Sequence, residues 1–336
     1  MNLFMKEQDI RPQDLEKKCD KLRLEDIKVF FVDQKKFKKV NCPACDSNNY
    51  QLEFKKNIFQ FCRCKKCWTL FINPRPSQQQ LSNFYSQSKS IAFWSEYIFP
   101  KSEKARIKNI FIPRTKLVAD ILKKYYGLPI RTLIEVGSGD GFFLRLARDF
   151  KIAKKILAIE PSKKAAEKCR AAGFEVLEKM VEDVELEIKA DAVVSFELIE
   201  HLFSPRDFIK GCRKILKNKG IFILSTPNIE GFDLTVLGVL SDNIAGPSHL
   251  NYFHLDSIKK LLSDEGFEVL DILTLGELDV DIVKNKIDSG LLDCKKLPFL
   301  GRLIRDNRND FNGRLQKFLQ GNRSSSNMLV VARKKS

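Results

Sequence analysis

The 336-residue sequence lacks any apolar run that approaches the roughly 18 to 20 residues a membrane-spanning helix requires. Its first residues, MNLFMKEQDIRPQDLEKK, also lack the apolar core of a signal peptide. We find no internal repeat and no low-complexity tract. These absences predict a globular cytoplasmic protein.

An even distribution of cysteines, as in a disulfide framework, is also missing. Five of the nine cysteines lie within residues 42–67, and the other four are scattered at Cys19, Cys169, Cys212 and Cys294. Disulfide-rich domains are shorter and distribute their cysteines more evenly. We therefore predict reduced thiols throughout the chain.

Positively charged residues are in excess, but they are unevenly distributed along the chain. Residues 41–131 contain 16 Lys and Arg against 5 Asp and Glu, a net of +11, whereas residues 132–275 contain 19 against 23, a net of −4. A basic flank attracts nucleic acid, phosphorylated small molecules or an anionic membrane surface, and it does not choose among them. A solvated, lysine-rich surface is the commoner explanation of such a flank.

The length favours one large domain with a small appendage, because single cores stop growing near roughly 250 to 300 residues. Composition changes abruptly at residue 41 and again after Pro76. We predict a helical or partly ordered lead over residues 1–40, a small cysteine-rich domain over 41–76, a helical linker or cover over 77–129, and a large domain over 130–336 with insertions at 229–250 and 276–325.

From residue 130 onward, short apolar runs alternate with amphipathic stretches. RTLIEVG is followed by FFLRLARDF, KILAIEP by SKKAAEKCRAAG, and DAVVSFE by SPRDFIKGCRKILKNKG, which we predict to be helical over residues 204–220. FEVLDILTLG and NMLVVARK supply further strands near the end of the chain. Alternating strands and helices predict an α/β fold with a parallel sheet and helices on both faces.

Glycines at 137, 139 and 141 follow the first strand of this domain and open a helix. A dinucleotide site prefers G-x-G-x-x-G, where a helix start holds a pyrophosphate. Here the spacing is G-x-G-x-G, with Glu135 before it and Asp140 inside it. Negative charge suits a cationic ligand, and S-adenosylmethionine contains both an ammonium and a sulfonium.

The second strand of the domain ends in Glu160, 19 residues after Gly141. A carboxylate at this place can accept hydrogen bonds from both hydroxyls of a ribose. The glycine loop and Glu160 together therefore indicate S-adenosylmethionine more strongly than either does alone.

The segments IEVGSGDG, AIEPS, DAVVSFELIEHL, GIFILSTPN and GPSHLNYFHLDSIKKLLSDEGFEV resemble the class I S-adenosylmethionine-dependent methyltransferases. Within this class, the sequence most resembles the branch that is similar to ubiquinone-biosynthesis O-methyltransferases and bacterial saccharide-modifying methyltransferases. The resemblance covers roughly residues 115–275 and the last strand. It implies a Rossmann-like, doubly wound sheet of seven strands.

This resemblance also implies the positions of the cofactor contacts. Glu182 or Asp183 would lie near the adenine, and Phe196 and Glu197 would line the pocket at the end of the fourth strand. The remaining contacts implied by the family pattern are Glu135, Gly137, Ser138, Gly139, Gly141 and Glu160.

Methyl transfer to a hydroxyl, amine or acidic carbon requires a group that removes a proton, and histidine is the commonest. The three histidines, His201, His249 and His254, follow predicted strands at the sheet edge where ligands of α/β folds bind. We predict His249 as the base, with Tyr252 and His254 forming the acceptor pocket. His201 either contributes to catalysis or positions its loop, and an acceptor that is already nucleophilic needs no base.

Cys42 and Cys45, followed after 18 residues by Cys64 and Cys67, form two C-x2-C pairs. This spacing is typical of a closed, structural zinc site with four thiolates. Cys62 could substitute for Cys64 only with poorer spacing, and unligated buried cysteines are the alternative. We predict a zinc ribbon over residues 41–76.

The cysteine-rich segment is similar to the zinc-binding leader of some sugar-nucleotide C-methyltransferases and related saccharide methyltransferases. Those C-methyltransferases have a long additional carboxyl-terminal domain, whereas this chain ends soon after its last predicted strand. The departure argues against carbon methylation and leaves a saccharide acceptor open.

We therefore expect a methyltransferase acting on a small or glycan-linked acceptor, such as a sugar nucleotide, a polysaccharide or a lipid-linked saccharide. Phosphate on the acceptor would suit the basic flank, and peripheral membrane contact and the oligomeric state stay open. A non-catalytic cofactor-binding scaffold is disfavoured because the glycine loop and its acidic partner are both intact.

The alternative is an RNA or protein methyltransferase whose basic zinc unit holds a polymer, since aromatic residues in zinc knuckles can stack bases. Against RNA, the aromatics of FQFC and WTLFI alternate as core residues of strands do. The sequence also lacks the Asn/Asp-Pro-Pro-aromatic signature of many amino-directed base methyltransferases, and STPN after the fifth strand does not substitute for it.

Overall fold

The computed structural model describes residues 5–336, which form two compact units. The first unit comprises residues up to 106 together with 227–254 and 273–328. The second comprises residues 107–226, 255–272 and 329–336. No helix within the described residues has the length and hydropathy needed to cross a membrane.

The helices and strands of the described residues follow the chain in this order. The α-helices are α1 (Glu7–Ile10), α2 (Gln13–Phe30), α3 (Gln78–Gln87), α4 (Lys89–Phe93), α5 (Phe99–Arg106), α6 (Ile112–Tyr126), α7 (Phe142–Asp149), α8 (Lys163–Ala171), α9 (Pro205–Ile215), α10 (Phe232–Leu237), α11 (Leu255–Asp264), α12 (Asp279–Asp288), α13 (Pro298–Asp306) and α14 (Phe311–Gly321). The strands are β1 (Tyr50–Lys56), β2 (Phe59–Cys64), β3 (Leu70–Ile72), β4 (Ile130–Val136), β5 (Ala153–Ile159), β6 (Glu175–Leu177), β7 (Ala190–Phe196), β8 (Leu216–Pro227), β9 (Asn251–Tyr252), β10 (Phe267–Thr274) and β11 (Asn327–Lys334).

Seven strands form the sheet that dominates the second unit, in the order β10-β11-β8-β7-β4-β5-β6. The pairs β4–β5, β4–β7, β5–β6 and β7–β8 are parallel. Strand β7 is buried along its whole length, as expected for a central strand covered on both faces. The predicted α/β Rossmann-like fold is confirmed.

The strand order changes direction at β4, whose neighbours are β5 on one side and β7 on the other. Connections that leave in opposite directions open a crevice beyond the carboxyl ends of such strands. The loops after β4, β5 and β7 therefore border this crevice.

The helix predicted over residues 204–220 is wrong from Leu216 onward. Helix α9 ends at Ile215 and β8 begins at the next residue, which pairs with Ala190 of β7. Lys217 also reaches across to Asp191 of β7. These contacts to a neighbouring strand stabilise an extended chain where the local sequence is compatible with a helix.

A second sheet, in the order β1-β2-β3-β9, belongs to the first unit. Its pairs β1–β2, β2–β3 and β3–β9 are antiparallel. Strand β9 comes from a distant part of the chain and pairs Tyr252 with Leu70. The cysteine-rich segment therefore shares its sheet with residues of the predicted acceptor region.

Helix α2 packs against α3 and α4 in the first unit. Buried Asp26 of α2 accepts hydrogen bonds from the Ser88 hydroxyl and from the backbone N–H groups of Lys89 and Ser90. Burial alone would raise the pKa of Asp26, but the hydrogen bonds from Ser90, Ser88 and Lys89 lower it. Residues of the predicted lead are thus an ordered part of this unit.

The first unit combines segments that the sequence analysis treats separately. Residues of the predicted lead, the cysteine-rich domain and both insertions belong to it. Their assignment to one unit groups them differently from the predicted domain scheme, whose boundaries stay a prediction.

Candidate functional site

The glycine loop after β4 depends on backbone conformations that favour glycine. Gly137, Gly139 and Gly141 have φ of +77°, +50° and +72°. A Cβ at Gly137 would lie 2.6 Å from Leu198 Cδ2, whereas a Cβ at Gly139 would meet nothing within 4 Å. The loop is therefore packed at Gly137 and open at Gly139.

Glu160 follows β5 and is oriented by the glycine loop. Its Oε2 accepts a hydrogen bond from the Gly139 N–H and its Oε1 accepts one from the Ser162 N–H, each at 2.9 Å. Burial raises the pKa of Glu160, and the two backbone N–H groups oppose that shift. The two motifs recognised in the sequence are therefore in direct contact.

Glu135, the penultimate residue of β4, is only 4% exposed, and its Oε2 has no hydrogen-bond partner. Burial raises the pKa of Glu135 well above its usual range, while the positive charge of Arg114 opposes the shift. Removal of a carboxylate from water is unfavourable unless an opposite charge compensates it. Glu135 is thus suited to a cationic partner.

Arg114 of α6 provides the protein's own positive charge at this site. Its guanidinium lies 4.7 Å from the centre of the Phe196 ring and 3.8 Å from Glu197 Oε1. Burial lowers the pKa of Arg114, and the negative charges of Glu197, Glu135 and Glu200 oppose this shift. One guanidinium therefore faces three carboxyl groups.

The segment after β7 contains two of these carboxyl groups. Glu197 has a φ of +50° and accepts a hydrogen bond from Ser225. Glu200 is 1% exposed and accepts one from Thr226 Oγ1 at 3.0 Å. Burial, and then the neighbouring charge of Glu197, raise the pKa of Glu200 well above its usual range.

Beside Glu200 is the histidine of the second unit. His201 Nε2 lies 3.7 Å from Glu200 Oε1, in a short 3-10 helix at Ile199–His201. The predicted residues Glu135, Glu160, Phe196 and His201 therefore all belong to the second unit.

Around Arg114, carboxyl groups outnumber cationic groups, and this favours binding of a positively charged ligand at the cluster. Such a ligand would stabilise the ionised forms that burial disfavours. The ammonium and sulfonium of S-adenosylmethionine match this requirement, and the open side of Gly139 leaves room for close approach. The residues present therefore fit this cofactor.

Three further predicted cofactor residues have different surroundings. Glu182 belongs to a short 3-10 helix at Val181–Asp183, and its buried Oε2 has no hydrogen-bond partner. Asp183 is exposed. Ser138 is buried, with its Oγ 3.6 Å from Cys169 Sγ. Glu182 is therefore the better placed acid of the pair for a buried contact.

Asp140, inside the glycine loop, forms a 2.7 Å ion pair with Lys168. Both side chains are partly exposed. Its carboxylate is therefore partly neutralised by the protein, unlike that of Glu135.

His249, in the first unit, has a defined ring orientation. Its Nδ1 lies 2.8 Å from the Asn243 carbonyl oxygen, which can only accept a hydrogen bond. Nδ1 therefore holds the proton, and in the neutral ring Nε2 holds the lone pair. The predicted base has a tautomer that could accept a proton at Nε2.

Tyr252 and His254 are integrated into the same unit as the cysteines. Tyr252 is 1% exposed, and its hydroxyl oxygen accepts a hydrogen bond from the Ala245 N–H at 3.1 Å. His254 Nε2 donates to the Cys67 carbonyl oxygen at 2.7 Å. Both side chains thus have structural contacts, and their role at the acceptor stays a prediction.

The four predicted zinc ligands come together in the first unit. Cys42 Sγ lies 3.4 Å from Cys67 Sγ, and Cys45 Sγ lies 3.6 Å from Cys64 Sγ. All four sulfur atoms are within 4.8 Å of one another. Cys62 instead directs its thiol to the Asn73 carbonyl oxygen at 3.4 Å.

The two C-x2-C turns have matching backbone conformations. Asp46 and Trp68, the residues after the second cysteine of each pair, have φ of 58° and 60°. The Cys42 thiol lowers the pKa of Cys67 to about 4 by hydrogen bonding, and the same contact together with burial raises the pKa of Cys42. Four closely spaced sulfur atoms on two such turns fit zinc, whose positive charge would favour the thiolates.

Sequence reasoning missed Arg114 and Glu200 as members of the charged cluster. Arg114 occurs in a helix with no motif around it, so nothing local indicated its position. Glu200 is part of the quoted segment DAVVSFELIEHL, and its spacing of three residues from Glu197 was the one available signal.

A family model described as a methyltransferase domain matches residues 93–272, which is more than half of the chain. The chain belongs to this methyltransferase family. The predicted enzyme class, an S-adenosylmethionine-dependent methyltransferase, is confirmed.

Two curated relatives carry corresponding names. A probable S-adenosylmethionine-dependent methyltransferase of Mycolicibacterium smegmatis is 29% identical over 189 residues, covering 52% of this chain and 70% of that protein. One from Mycobacterium tuberculosis H37Rv is 28% identical over 140 residues, covering 41% of this chain and 48% of that protein. This methyltransferase therefore spans about half the length of its M. tuberculosis relative.

A solved S-adenosylmethionine-dependent methyltransferase from Clostridium acetobutylicum is 10% identical to this chain. The comparison has a TM-score of 0.46 and covers 71% of this chain and 99% of that chain.

Proposed function

We propose that this methyltransferase transfers a methyl group to a saccharide acceptor, either a sugar nucleotide, a polysaccharide or a lipid-linked saccharide. The observation that carries the methyl-transfer part is the buried carboxyl cluster around Arg114 at the glycine loop. The saccharide part is supported by the cysteine-rich segment, which is similar to the leaders of saccharide methyltransferases.

In this proposal S-adenosylmethionine supplies a methyl group that is already activated by its sulfonium. Glu160 accepts hydrogen bonds from the ribose hydroxyls, and its two backbone N–H partners preorganise its carboxylate. Glu135 compensates positive charge, and Gly139 allows close approach of the backbone. Gly137, Ser138, Gly141, Glu182, Phe196 and Glu197 are the further proposed cofactor contacts, with Asp183 the weaker alternative to Glu182.

His249 is the proposed general base for a hydroxyl acceptor. The hydrogen bond from its Nδ1 to the Asn243 carbonyl supports a neutral ring with a basic Nε2. His201 is the second candidate, because the adjacent Glu200 carboxyl could stabilise its protonated form. Tyr252 and His254 are proposed to shape the acceptor region through their contacts in the same unit as His249.

The alternative, an RNA or protein acceptor held by the cysteine-rich segment, receives less support. Base stacking needs exposed aromatic faces. Phe59, Phe61 and Phe71 are each fully buried, and Trp68 is the exposed aromatic of this group at 64%. Core packing explains the other three side chains without a nucleic acid.

Structural zinc bound by Cys42, Cys45, Cys64 and Cys67 is part of the same proposal. Four protein ligands leave no open position for an acceptor or water, so the metal would stabilise the fold. The Cys67 carbonyl also accepts a hydrogen bond from His254, which links the second cysteine turn to residues that follow β9.

A methyl-transfer assay with radiolabelled S-adenosylmethionine tests the acceptor class. The acceptors are a panel of sugar nucleotides, a lipid-linked saccharide and a short RNA, each at moderate salt. We expect labelled product from a saccharide and none from RNA. Product from RNA alone would contradict the saccharide proposal and leave the enzyme class intact.

His249→Ala tests the proposed base, with His201→Ala as the comparison. We expect His249→Ala to lower kcat by about a hundredfold to ten-thousandfold and to remove the acidic limb of the pH profile, where protonation of the base lowers activity. Titration with S-adenosylhomocysteine should give wild-type affinity. If His249→Ala keeps full activity and His201→Ala loses it, the base is His201.

A further inference from the structure

Helices α13 and α14 each expose a phenylalanine to solvent. Phe299 of α13 is 68% exposed and Phe318 of α14 is 60% exposed. Leu291, in the turn before α13, is 59% exposed. Three large apolar side chains are thus exposed within residues 291–318, and exposed apolar groups mark interaction surfaces where they lie together.

The opposite faces of these helices are anchored in the first unit. Gly301 and Ile304 of α13 are buried, and so are Gly313, Gln316 and Leu319 of α14. Both helices also contact α12. Their orientation is therefore held by packing, and each phenylalanine lies on the outer side of an anchored helix.

Basic side chains accompany both phenylalanines. Arg302 lies three residues after Phe299, and Arg314 lies four residues before Phe318, spacings that put each pair on one helix face. Both arginines are exposed, as are Arg305 and Lys317. Each helix thus combines an exposed aromatic ring with cationic side chains.

The charge balance of the surrounding segment has one sign. Residues 290–325 contain 8 Lys and Arg against 3 Asp and no Glu, a net of +5. One acid of the segment, Asp306, forms an ion pair with Arg308 at 3.6 Å. Such a segment is complementary to a surface with negative headgroups and an apolar layer beneath them.

We propose that α13, α14 and the turn before α13 dock on an anionic lipid surface. The phenylalanines and Leu291 enter the boundary between headgroups and acyl chains, and the arginines and Lys317 contact lipid phosphates. Leu291 favours lipid over nucleic acid, because an aliphatic side chain neither stacks on bases nor forms hydrogen bonds. This docking goes beyond the choice of methyl acceptor and is independent of it.

Sedimentation of the full chain with lipid vesicles tests the proposal. Vesicles of phosphatidylcholine mixed with phosphatidylglycerol are compared with vesicles of pure phosphatidylcholine, at low and high salt. We expect binding to the anionic vesicles only, weakened by salt. Absence of binding to anionic vesicles at low salt would overturn the proposal.

Paired variants assign the binding to this segment. Phe299→Ser with Phe318→Ser, and separately Arg302→Gln with Arg314→Gln, should each weaken vesicle binding about tenfold or more. Phe150→Ser changes another exposed phenylalanine, in the second unit, and should leave binding unchanged. Unchanged affinity for S-adenosylhomocysteine in all variants checks that they are folded.

Two results would overturn the assignment. Equal vesicle binding by wild type and both paired variants would mean that another surface binds lipid. Tight binding to a short single-stranded RNA, lost in the paired variants while vesicles stay unbound, would give the segment to nucleic acid. Since the measurement involves no methyl transfer, its failure is distinguishable from a failure of the proposed reaction.

Discussion

Each of the two units buries a carboxyl group with oxygen atoms that lack hydrogen-bond partners, but the neighbours of these groups have opposite charge. In the second unit Glu135 faces the guanidinium of Arg114. In the first unit Asp233 faces the carboxyl group of Asp279, and burial followed by this like charge raises the pKa of Asp233 to about 7. Equal burial therefore has different consequences in the two regions.

Within the first unit, Asp279 and Asp233 differ in their hydrogen bonds. Asp279 accepts hydrogen bonds from Gln316 Nε2 at 2.7 Å, Ser325 Oγ at 2.8 Å and the Ser326 N–H at 2.5 Å. Asp233 is 1% exposed and neither of its oxygens has a partner of normal geometry. Burial of Asp233 thus reduces stability when it ionises, whereas Glu135 beside Arg114 is suited to a further cationic partner.

The largest expected effect concerns the four clustered cysteines of the first unit. Cys42→Ser removes one thiolate, and metal binding supplies on the order of 10 to 16 kcal/mol to the folding of zinc peptides. We expect the variant to lose stoichiometric zinc by elemental analysis and to unfold at a much lower temperature.

Cys62→Ser is the matched control, because Cys62 is directed to the Asn73 carbonyl and lies outside the cluster. It should keep its zinc and most of its stability. If purified wild-type protein contains no zinc, or if Cys42→Ser keeps the wild-type zinc content, the cluster does not bind this metal.

The second prediction uses the pH dependence of stability. The pKa of Asp233 is raised in the folded state above the ordinary 3.8, so the folded protein binds the proton more tightly than the unfolded chain does. The resulting stabilisation is present below about pH 4, declines as pH rises, and is lost above about pH 7.

Asp233→Asn removes this dependence. Near pH 8 the variant should be more stable than wild type by about 2 to 4 kcal/mol, because each unit of pKa shift corresponds to about 1.4 kcal/mol and the amide keeps an unsatisfied group buried. Near pH 4 the two proteins should differ little. Denaturant unfolding at both pH values measures the difference, and a constant difference would refute the assignment to Asp233.

The geometry of the candidate cofactor site was largely predictable because its parts are local. The glycine loop directly follows a strand, Glu160 ends the next strand, and parallel pairing of β4 with β5 brings their carboxyl ends together. The 3.6- and 2-residue periodicities likewise identify the helices and strands of the second unit. The regular spacing of the cysteines similarly indicated which four sulfur atoms would meet.

No local sequence pattern indicated the contacts between distant segments. Pairing of β9 with β3, and the meeting of Asp233 with Asp279, join residues whose own neighbourhoods specify neither partner. The boundary of α9 was missed for the same reason, since pairing with β7 determines where the helix ends. Arg114 reaches its three carboxyl neighbours through the packing of α6 and not through a motif.

The third prediction tests Glu160. Glu160→Ala removes an acceptor for two ribose hydroxyls, and hydrogen bonds to a charged group contribute about 1.5 to 3 kcal/mol each. We expect affinity for S-adenosylhomocysteine to fall about a hundredfold in calorimetry. Glu167→Ala, at an exposed position of α8, should bind as wild type does. Unchanged affinity of Glu160→Ala would exclude the ribose contact.

We expect the smallest effect from substitution of Glu135. Glu135→Gln keeps the shape of the side chain and removes its charge, so affinity for S-adenosylmethionine should fall by about tenfold, the loss of one charge-assisted contact. S-adenosylhomocysteine, which lacks the sulfonium charge, should lose less. The free protein should become more stable, but by less than Asp233→Asn, because Arg114 already compensates part of the charge of Glu135. If Glu135→Gln leaves both affinities unchanged, Glu135 binds no cationic ligand. Its burial, like that of Asp233, then only lowers the stability of the folded protein.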